Sequence, residues 1–110
     1  MPRFEEWHTS GPGIERKIFT PGKTIMSMMV SLKNGAVGKA HSHPHEQLTF
    51  VVSGRLQLEM NGEITVAGAG EQFVIPGDAV HEVTALEDTV VVETFTPLRA
   101  DLLATITDAE

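Results

Sequence analysis

The sequence predicts an all-β fold, a sandwich or barrel built from many short strands. Glycine and proline interrupt the chain every few residues, with 10 glycines and 6 prolines in 110 residues. The runs between these breaks are rich in Val, Ile, Thr and Phe, the residue types that favour strands. Aromatic residues make up only 5% of the chain, so aliphatic and Met side chains must fill the core. Short strands at such spacing are typical of a sandwich or barrel.

The strands are predicted from the runs between the breaks. They are Ile14–Phe19, Thr24–Leu32, Gln47–Ser53, Arg55–Met60, Ile64–Ala67, Gln72–Ile75, His81–Ala85 and Thr89–Thr96. Asn61-Gly62 predicts a tight hairpin between two of them, because both residues tolerate positive φ. The tail after Pro97 carries spaced leucines and an isoleucine and indicates one short helix. We expect Trp7 and His8 to tie down an N-terminal strand, at a dimer interface.

Alternation along the strands predicts which side chains share a face. In an extended chain residues two apart point the same way, so Gln47 and Thr49 face the same side. Glu93 and Phe95 likewise share one side of the last run. We expect such strands to bury both faces, as the wall between a lumen and a second packing layer. Glu93 then stands out, because a buried carboxylate needs a partner.

Composition excludes several classes of function. Fifteen acidic against eight basic residues give a net charge of −7, and Lys and Arg form no block, so nucleic acid and anionic membranes are poor partners. The chain has no cysteine, which excludes disulfides, thiolate catalysis and Cys-ligated zinc. The acidic N-terminal residues are unlike a signal peptide. We expect a cytoplasmic protein with a single domain over residues 1–110 and no internal repeat.

Four histidines form the first candidate site. His41, His43 and His45 lie in one short segment, and His81 comes much later. His41-x-His43 places two imidazoles on one side of an extended chain, and Gln47 follows after a turn favoured by Pro44. Neutral N and O ligands of this kind suit one divalent metal such as Mn, Fe, Co, Ni or Zn. The local spacing alone is equally compatible with a solvated, His-rich loop.

A wider pattern resembles the two signatures of the cupin superfamily. Gly35-x5-His41-x-His43-x3-Gln47-x6-Gly54 matches the first signature, in which an acid usually occupies the Gln47 position. Gly70-x5-Pro76-x-Asp78-x2-His81 matches the second, with Asp78 in place of the usual glycine. The resemblance covers about residues 26–95. It implies a double-stranded β-helix, the cupin jelly-roll barrel, with a central metal held by His41, His43, Gln47 and His81.

A closer resemblance is to the KdgF type of cupin. This resemblance rests on the segment 41–47, on Glu15-Arg16-Lys17-Ile18 upstream and on the segment 95–101 downstream. The spacing Glu93-x-Phe95-x3-Arg99 also matches. Members of that family convert 4,5-unsaturated monouronates into linear keto sugars during pectin and alginate breakdown. The resemblance therefore implies a uronate substrate and places Glu93, Phe95 and Arg99 in the catalytic site. The family usually has Asp where this chain has Glu93.

The residue types fit that chemistry, and each has a simpler alternative. Arg99 offers a planar fork for a carboxylate, or else forms a salt bridge with Asp101. Glu93 can transfer a proton if its pKa is tuned. Phe95 can form an apolar wall of the site or only pack in the core. Direct ligation by Gln47 competes with a role in orienting a water, and His45 is expected at the rim.

Two other classes of function fit the same sequence. A three-His iron centre could activate dioxygen, which would make the protein a small dioxygenase. A barrel with a metal but no turnover would be a metal- or sugar-binding module. We also expect a homodimer, because the short chain has more apolar strand surface than a small monomer can cover.

Overall fold

The computed structural model describes residues 2–107, and these form ten strands and one short helix. The elements in chain order are β1 (Trp7–Gly11), β2 (Ile14–Ile18), β3 (Met26–Leu32), β4 (Val37–His41), β5 (Glu46–Ser53), β6 (Arg55–Met60), β7 (Glu63–Gly68), β8 (Gln72–Ile75), β9 (His81–Ala85), β10 (Thr89–Thr96) and α1 (Ala100–Ala104). The predicted all-β class and the short C-terminal helix are confirmed. No helix in these residues is long and apolar enough to cross a bilayer.

The strands form two antiparallel sheets. One has six strands in the order β1-β2-β3-β10-β5-β8, and the other has four in the order β4-β9-β6-β7. From β3 onward the chain alternates between the sheets, with the β6–β7 hairpin as the one pair of consecutive strands in the same sheet. This alternation winds the chain as a double-stranded β-helix and confirms the predicted jelly-roll barrel.

The core lies between the sheets and follows the alternation of β3 and β10. Met26, Met28, Val30 and Leu32 are buried, and they face Val91 and Phe95 on the paired strand. Aliphatic and Met side chains fill most of this core, as the scarcity of aromatics predicts. Met29 is an exception to the expected core role of the methionines, since it lies on the opposite face of β3 and is partly exposed.

Two turns depend on residues that accept positive φ. Asn61 and Gly62 have φ of 54° and 77° and join β6 to β7 with Met60 opposite Glu63, which confirms the predicted hairpin. Gly54, where the chain crosses from β5 to β6, has φ of 90°. A Cβ atom there would clash with the backbone oxygen of Asp88.

Sequence patterning missed β4 and gave β1 only as an N-terminal strand without bounds. Both are edge strands, and both are short, with polar or small residues and little alternation. Backbone pairing with a stronger neighbour forms such strands, and side-chain pattern does not record that pairing. Trp7 is 43% exposed, and its ring contacts the Lys17 ammonium at 4.8 Å.

The outer face of the six-stranded sheet is not covered by the second packing layer that the sequence predicts. Phe50 and Val52 on β5 are 40% and 45% exposed, and Val74 on the neighbouring β8 is 54% exposed. The opposite faces of these strands are buried in the barrel. Within residues 2–107, therefore, β5 buries only its inner face.

Candidate metal centre and its cavity

Three histidines converge at one end of the four-stranded sheet. His41 ends β4 and His81 begins β9, and the pairing of these strands places the two residues opposite each other. His43 lies in the loop that follows β4. The candidate ligand nitrogens of the three rings lie within 4.8 Å of one another. The structure thus brings the distant His81 to the pair predicted in the first signature.

Hydrogen bonds fix the orientation of all three rings. Each Nδ1 lies against a backbone carbonyl two residues away, at 2.8 Å for His41 and Lys39, 3.1 Å for His43 and His45, and 2.9 Å for His81 and Ala79. A carbonyl only accepts, so each Nδ1 must carry the proton and donate it. Each Nε2 then carries a lone pair, the form in which histidine binds a metal.

The environment of His43 and His81 favours the neutral form of their rings. Burial lowers the pKa of His43 and of His81, and the positive charge of Arg99 lowers both further. The Nε2 of His81 is buried and has no hydrogen-bond partner in residues 2–107. A buried acceptor without a partner is costly, and a cation at the centre of the cluster would satisfy it. These neutral nitrogen donors fit a divalent transition metal.

Gln47 completes this arrangement with an amide oxygen. Its Nε2 donates to the Thr49 hydroxyl at 2.9 Å and to the Glu93 carboxylate. These two acceptors fix the amide so that Oε1 lies 3.0 Å from the Nε2 of His43. With the His43 proton on Nδ1, two lone pairs face each other, an unfavourable contact that a shared cation would relieve.

Glu93 lies beside Gln47 on the neighbouring strand, opposite Thr49 in the register of β10 and β5. Its carboxylate accepts from the Gln47 amide and from the Thr49 hydroxyl, the latter at 3.3 Å. Burial raises the pKa of Glu93 to about 7, although the Thr49 hydrogen bond and the charges of Arg99 and Arg16 act in the opposite direction. A carboxyl with this pKa can both accept and donate a proton near neutral pH.

Phe95 lies two residues after Glu93 on β10, opposite Gln47 in register, and Arg99 lies against its ring. The buried Phe95 ring meets the His43 ring edge-on, with centroids 5.8 Å apart, and lies 5.0 Å from the Arg99 guanidinium carbon. Arg99 also makes the alternative salt bridge, with Nε and Nη2 at 3.0 Å and 2.7 Å from the two carboxylate oxygens of Asp101. Arg99 and Phe95 thus have structural contacts and also line the cavity.

His45 points away from the cluster, as the turn at Pro44 predicts. Its Nε2 donates to the backbone oxygen of Leu98 at 3.1 Å, and its own backbone oxygen accepts from the His43 ring. His45 therefore supports the site from outside and contributes no atom to the histidine centre.

A cavity of about 510 Å³ opens between the sheets above the histidines. This volume lies in the range of small-molecule sites. Its walls include His41, His81, Gln47, Glu93, Phe95 and Arg99, which are six of the seven residues predicted for the site. His43 contacts the same group through Gln47 and Phe95.

Sequence reasoning assigned no role to two cations of this cavity, Arg16 and Lys39. Alternation could have identified Arg16, because it shares its strand face with Ile14 and Ile18 and so places a charge where apolar residues are expected. Lys39 is exposed on the short edge strand β4, which gave no such signal.

Known proteins match this chain over a range that includes the histidine centre. The family model described as "Cupin domain" matches residues 28–96. Pectin degradation protein KdgF from Dickeya dadantii is 34% identical over 99 residues, covering 88% of this chain and 90% of that protein. The structure of KdgF from Halomonas sp. matches with a TM-score of 0.85 and 38% identity, covering 89% and 91% of the two chains. An RmlC-like cupin from Shewanella frigidimarina matches with a TM-score of 0.84, 28% identity and coverage of 89% and 88%.

Proposed function

Because the chain belongs to the cupin domain family, and because a carboxyl of raised pKa lies beside its histidine centre, we propose that it is a metal-dependent enzyme. Its substrates are 4,5-unsaturated monouronates and its products are linear keto sugars. The relative from Dickeya dadantii is described as a pectin degradation protein, and pectin is a source of such uronates.

We assign the metal to His41, His43 and His81, with the amide oxygen of Gln47 as the fourth ligand. Four neutral ligands leave the full charge of a divalent ion, such as Ni, Zn, Fe, Mn or Co, to act as a Lewis acid on a substrate oxygen. The amide orientation supports the role of Gln47, because Thr49 and Glu93 hold its nitrogen and leave its oxygen toward His43.

The reaction is an isomerisation that moves one proton. The C1 hydroxyl of the cyclic uronate loses its proton, the bond between C1 and the ring oxygen breaks, and an aldehyde forms at C1. The electron pair passes to the ring oxygen, so that C4, C5 and this oxygen form an enolate. C4 then takes up a proton, and C5 becomes a ketone. A single group able to accept and then donate a proton can serve both ends.

The observation that carries this proposal is the environment of Glu93. Its carboxyl is held by Gln47 and Thr49, borders the cavity, and has a pKa raised to about 7. We assign it both proton transfers. Phe95 is the apolar wall against the sugar ring, and Arg99, held by Asp101, places a positive charge on the side where the substrate carboxylate binds.

The test is the loss of the ultraviolet absorbance of unsaturated galacturonate, whose conjugated enol ether disappears on ring opening. Protein loaded in turn with each candidate metal should accelerate this loss, and Glu93→Gln should reduce kcat by roughly 10²- to 10⁴-fold. Metal content should stay unchanged in that variant. Glu63→Gln, at an exposed position on β7, is the matched control and should keep full activity.

The alternatives give different results in the same experiment. If the absorbance of unsaturated galacturonate decays only at its spontaneous rate with every metal, the uronate assignment is refuted. Oxygen consumption by the iron-loaded protein would then support the dioxygenase hypothesis, and uronate binding without turnover would support the binding-module hypothesis.

A further inference from the structure

Arg16 is a cation on the inner face of the barrel. It lies on β2 between Ile14 and Ile18, whose side chains share that face, and it pairs in register with the buried Val30. Arg16 lines the same cavity as Glu93 and Arg99. Nothing in the packing of an aliphatic strand face requires a guanidinium there, so its charge calls for a partner.

The hydrogen bonds of Arg16 within residues 2–107 include no carboxylate, and Asp101 and Glu93 offset its charge only at longer range. Nη2 donates to the Thr105 hydroxyl at 3.0 Å, and Thr105 in turn donates to the backbone oxygen of Leu102 at 2.6 Å. Nε is buried and has no hydrogen-bond partner among residues 2–107. Thr105 is neutral, so it orients the guanidinium without neutralising it.

Arg99, in contrast to Arg16, is already paired with a carboxylate. Two of its nitrogens make the paired hydrogen bonds to Asp101, so its fork is already occupied by a carboxylate. The two arginines also repel each other: the pKa of Arg16 is lowered first by burial and then by the charge of Arg99, and Asp101 and Glu93 offset this only in part. An anion between them would compensate both effects.

We propose that Arg16 binds the carboxylate of the substrate, on the side of the cavity that Arg99 shares. This inference rests on the proposed function for its substrate, an anionic monosaccharide. The chain has a net charge of −7 and attracts no anion from a distance, so local cations must supply the affinity. Arg16 makes the site selective for an acidic sugar over its neutral counterpart.

The first experiment measures KM and kcat for unsaturated galacturonate with the metal-loaded protein. Arg16→Gln should raise KM by roughly 10- to 100-fold, the usual effect of losing a charge-assisted hydrogen bond, with a much smaller change in kcat. Arg16→Lys keeps the charge without the fork and should raise KM several-fold; it serves as the test if Arg16→Gln does not fold. Arg55→Gln removes an exposed arginine outside the cavity and is the control.

The second experiment needs no turnover. Calorimetry compares the binding of galacturonate and galactose to the same proteins. The wild type should prefer galacturonate, and Arg16→Gln should lose this preference, whereas Arg55→Gln should keep it.

The two experiments separate the inference from the proposed function. Turnover with an unchanged KM in Arg16→Gln overturns the role of Arg16 and leaves the function standing. Absence of turnover with Arg16-dependent galacturonate binding supports the role of Arg16 and refutes the reaction. Without turnover, galacturonate binding that is absent or equal in both proteins overturns the role of Arg16.

Discussion

Glu93→Gln should stabilise the metal-free protein, and the gain should depend on pH. The pKa of Glu93 is raised by burial to about 7 from an ordinary value of 4.5. Between these values the folded protein holds a proton that the unfolded chain has released, so stability falls as pH rises through this window. Glutamine has nearly the shape of the protonated carboxyl and carries no charge, and its oxygen can still accept from Gln47.

The size of the effect follows from that pKa difference. At pH 8 the free energy of unfolding of the wild type is about 3 kcal/mol lower than when Glu93 is protonated in both states. At pH 5 it is lower by less than about 1 kcal/mol. Glu93→Gln avoids this loss. The variant should therefore be more stable than the wild type by less than about 1 kcal/mol at pH 5 and by about 3 kcal/mol at pH 8.

The assay is urea unfolding of both proteins at pH 5 and pH 8 in the presence of a chelator, followed by circular dichroism. Titration of His43 and His81 affects both proteins to a similar extent, so it largely cancels in the difference. Glu63→Gln is the control and should show no pH-dependent gain. Equal stabilities of wild type and Glu93→Gln at pH 8 would show that the carboxylate is well solvated in the folded state, and the argument for Glu93 as proton carrier would lose its basis.

The remaining predictions concern the metal, the fourth ligand, the acid and the assembly. His81→Ala should abolish stoichiometric metal binding and lower Tm in the presence of metal; full metal content by atomic emission would refute the three-histidine centre. Gln47→Ala should weaken metal affinity, and an unchanged affinity in a competition titration would exclude Gln47 as a ligand, whereas Gln47→Glu should retain the metal and lower kcat. Glu93→Asp, which restores the usual residue of the KdgF type, should keep or raise kcat, and a loss as large as that of Glu93→Gln would contradict the assignment. We predict a homodimer formed through the outer face of the six-stranded sheet, where Phe50 is 40% exposed. Light scattering should give twice the chain mass for the wild type and a single chain mass for Phe50→Glu. A monomeric wild type at micromolar concentration would reject the dimer.

The sequence predicted the parts of the fold whose strands carry alternating apolar residues. The strands at 55–60, 72–75, 81–85 and 89–96 lie at the predicted bounds, because burial of one face selects residues at every second position. β4 gave no such pattern, since its residues are mostly exposed at a sheet edge. Its pairing with β9, which brings His41 opposite His81, is a tertiary contact that local patterning does not encode.

The candidate site could be predicted only in its residue types. The two signatures supplied the histidines and Gln47, and the resemblance to the KdgF type supplied Glu93 and Arg99. The protonation and charge states of these residues depend on neighbours that are distant in sequence. Thr49 and Gln47 orient the Glu93 carboxyl. Asp101 accepts two hydrogen bonds from Arg99, the salt bridge that the sequence left open as the alternative to a substrate contact. This salt bridge makes Arg99 a weaker candidate for binding the substrate carboxylate, because a guanidinium already paired in two hydrogen bonds has fewer free donors for a second carboxylate.

The roles proposed for Arg16 and Glu93 are compatible in one cavity, although Glu93 has to be protonated at one step while an anion is bound near it. A positive charge close to Glu93 favours its ionised form and lowers its pKa, whereas burial raises it, and the result is about 7. If the substrate carboxylate pairs with Arg16 as proposed, the charge of Arg16 is compensated and its effect on Glu93 weakens. Substrate binding should therefore raise the pKa of Glu93 further and favour the protonated form that delivers a proton to C4. In Arg16→Gln this shift should be smaller, and comparison of the pH profiles of kcat and kcat/KM for the two proteins would measure it.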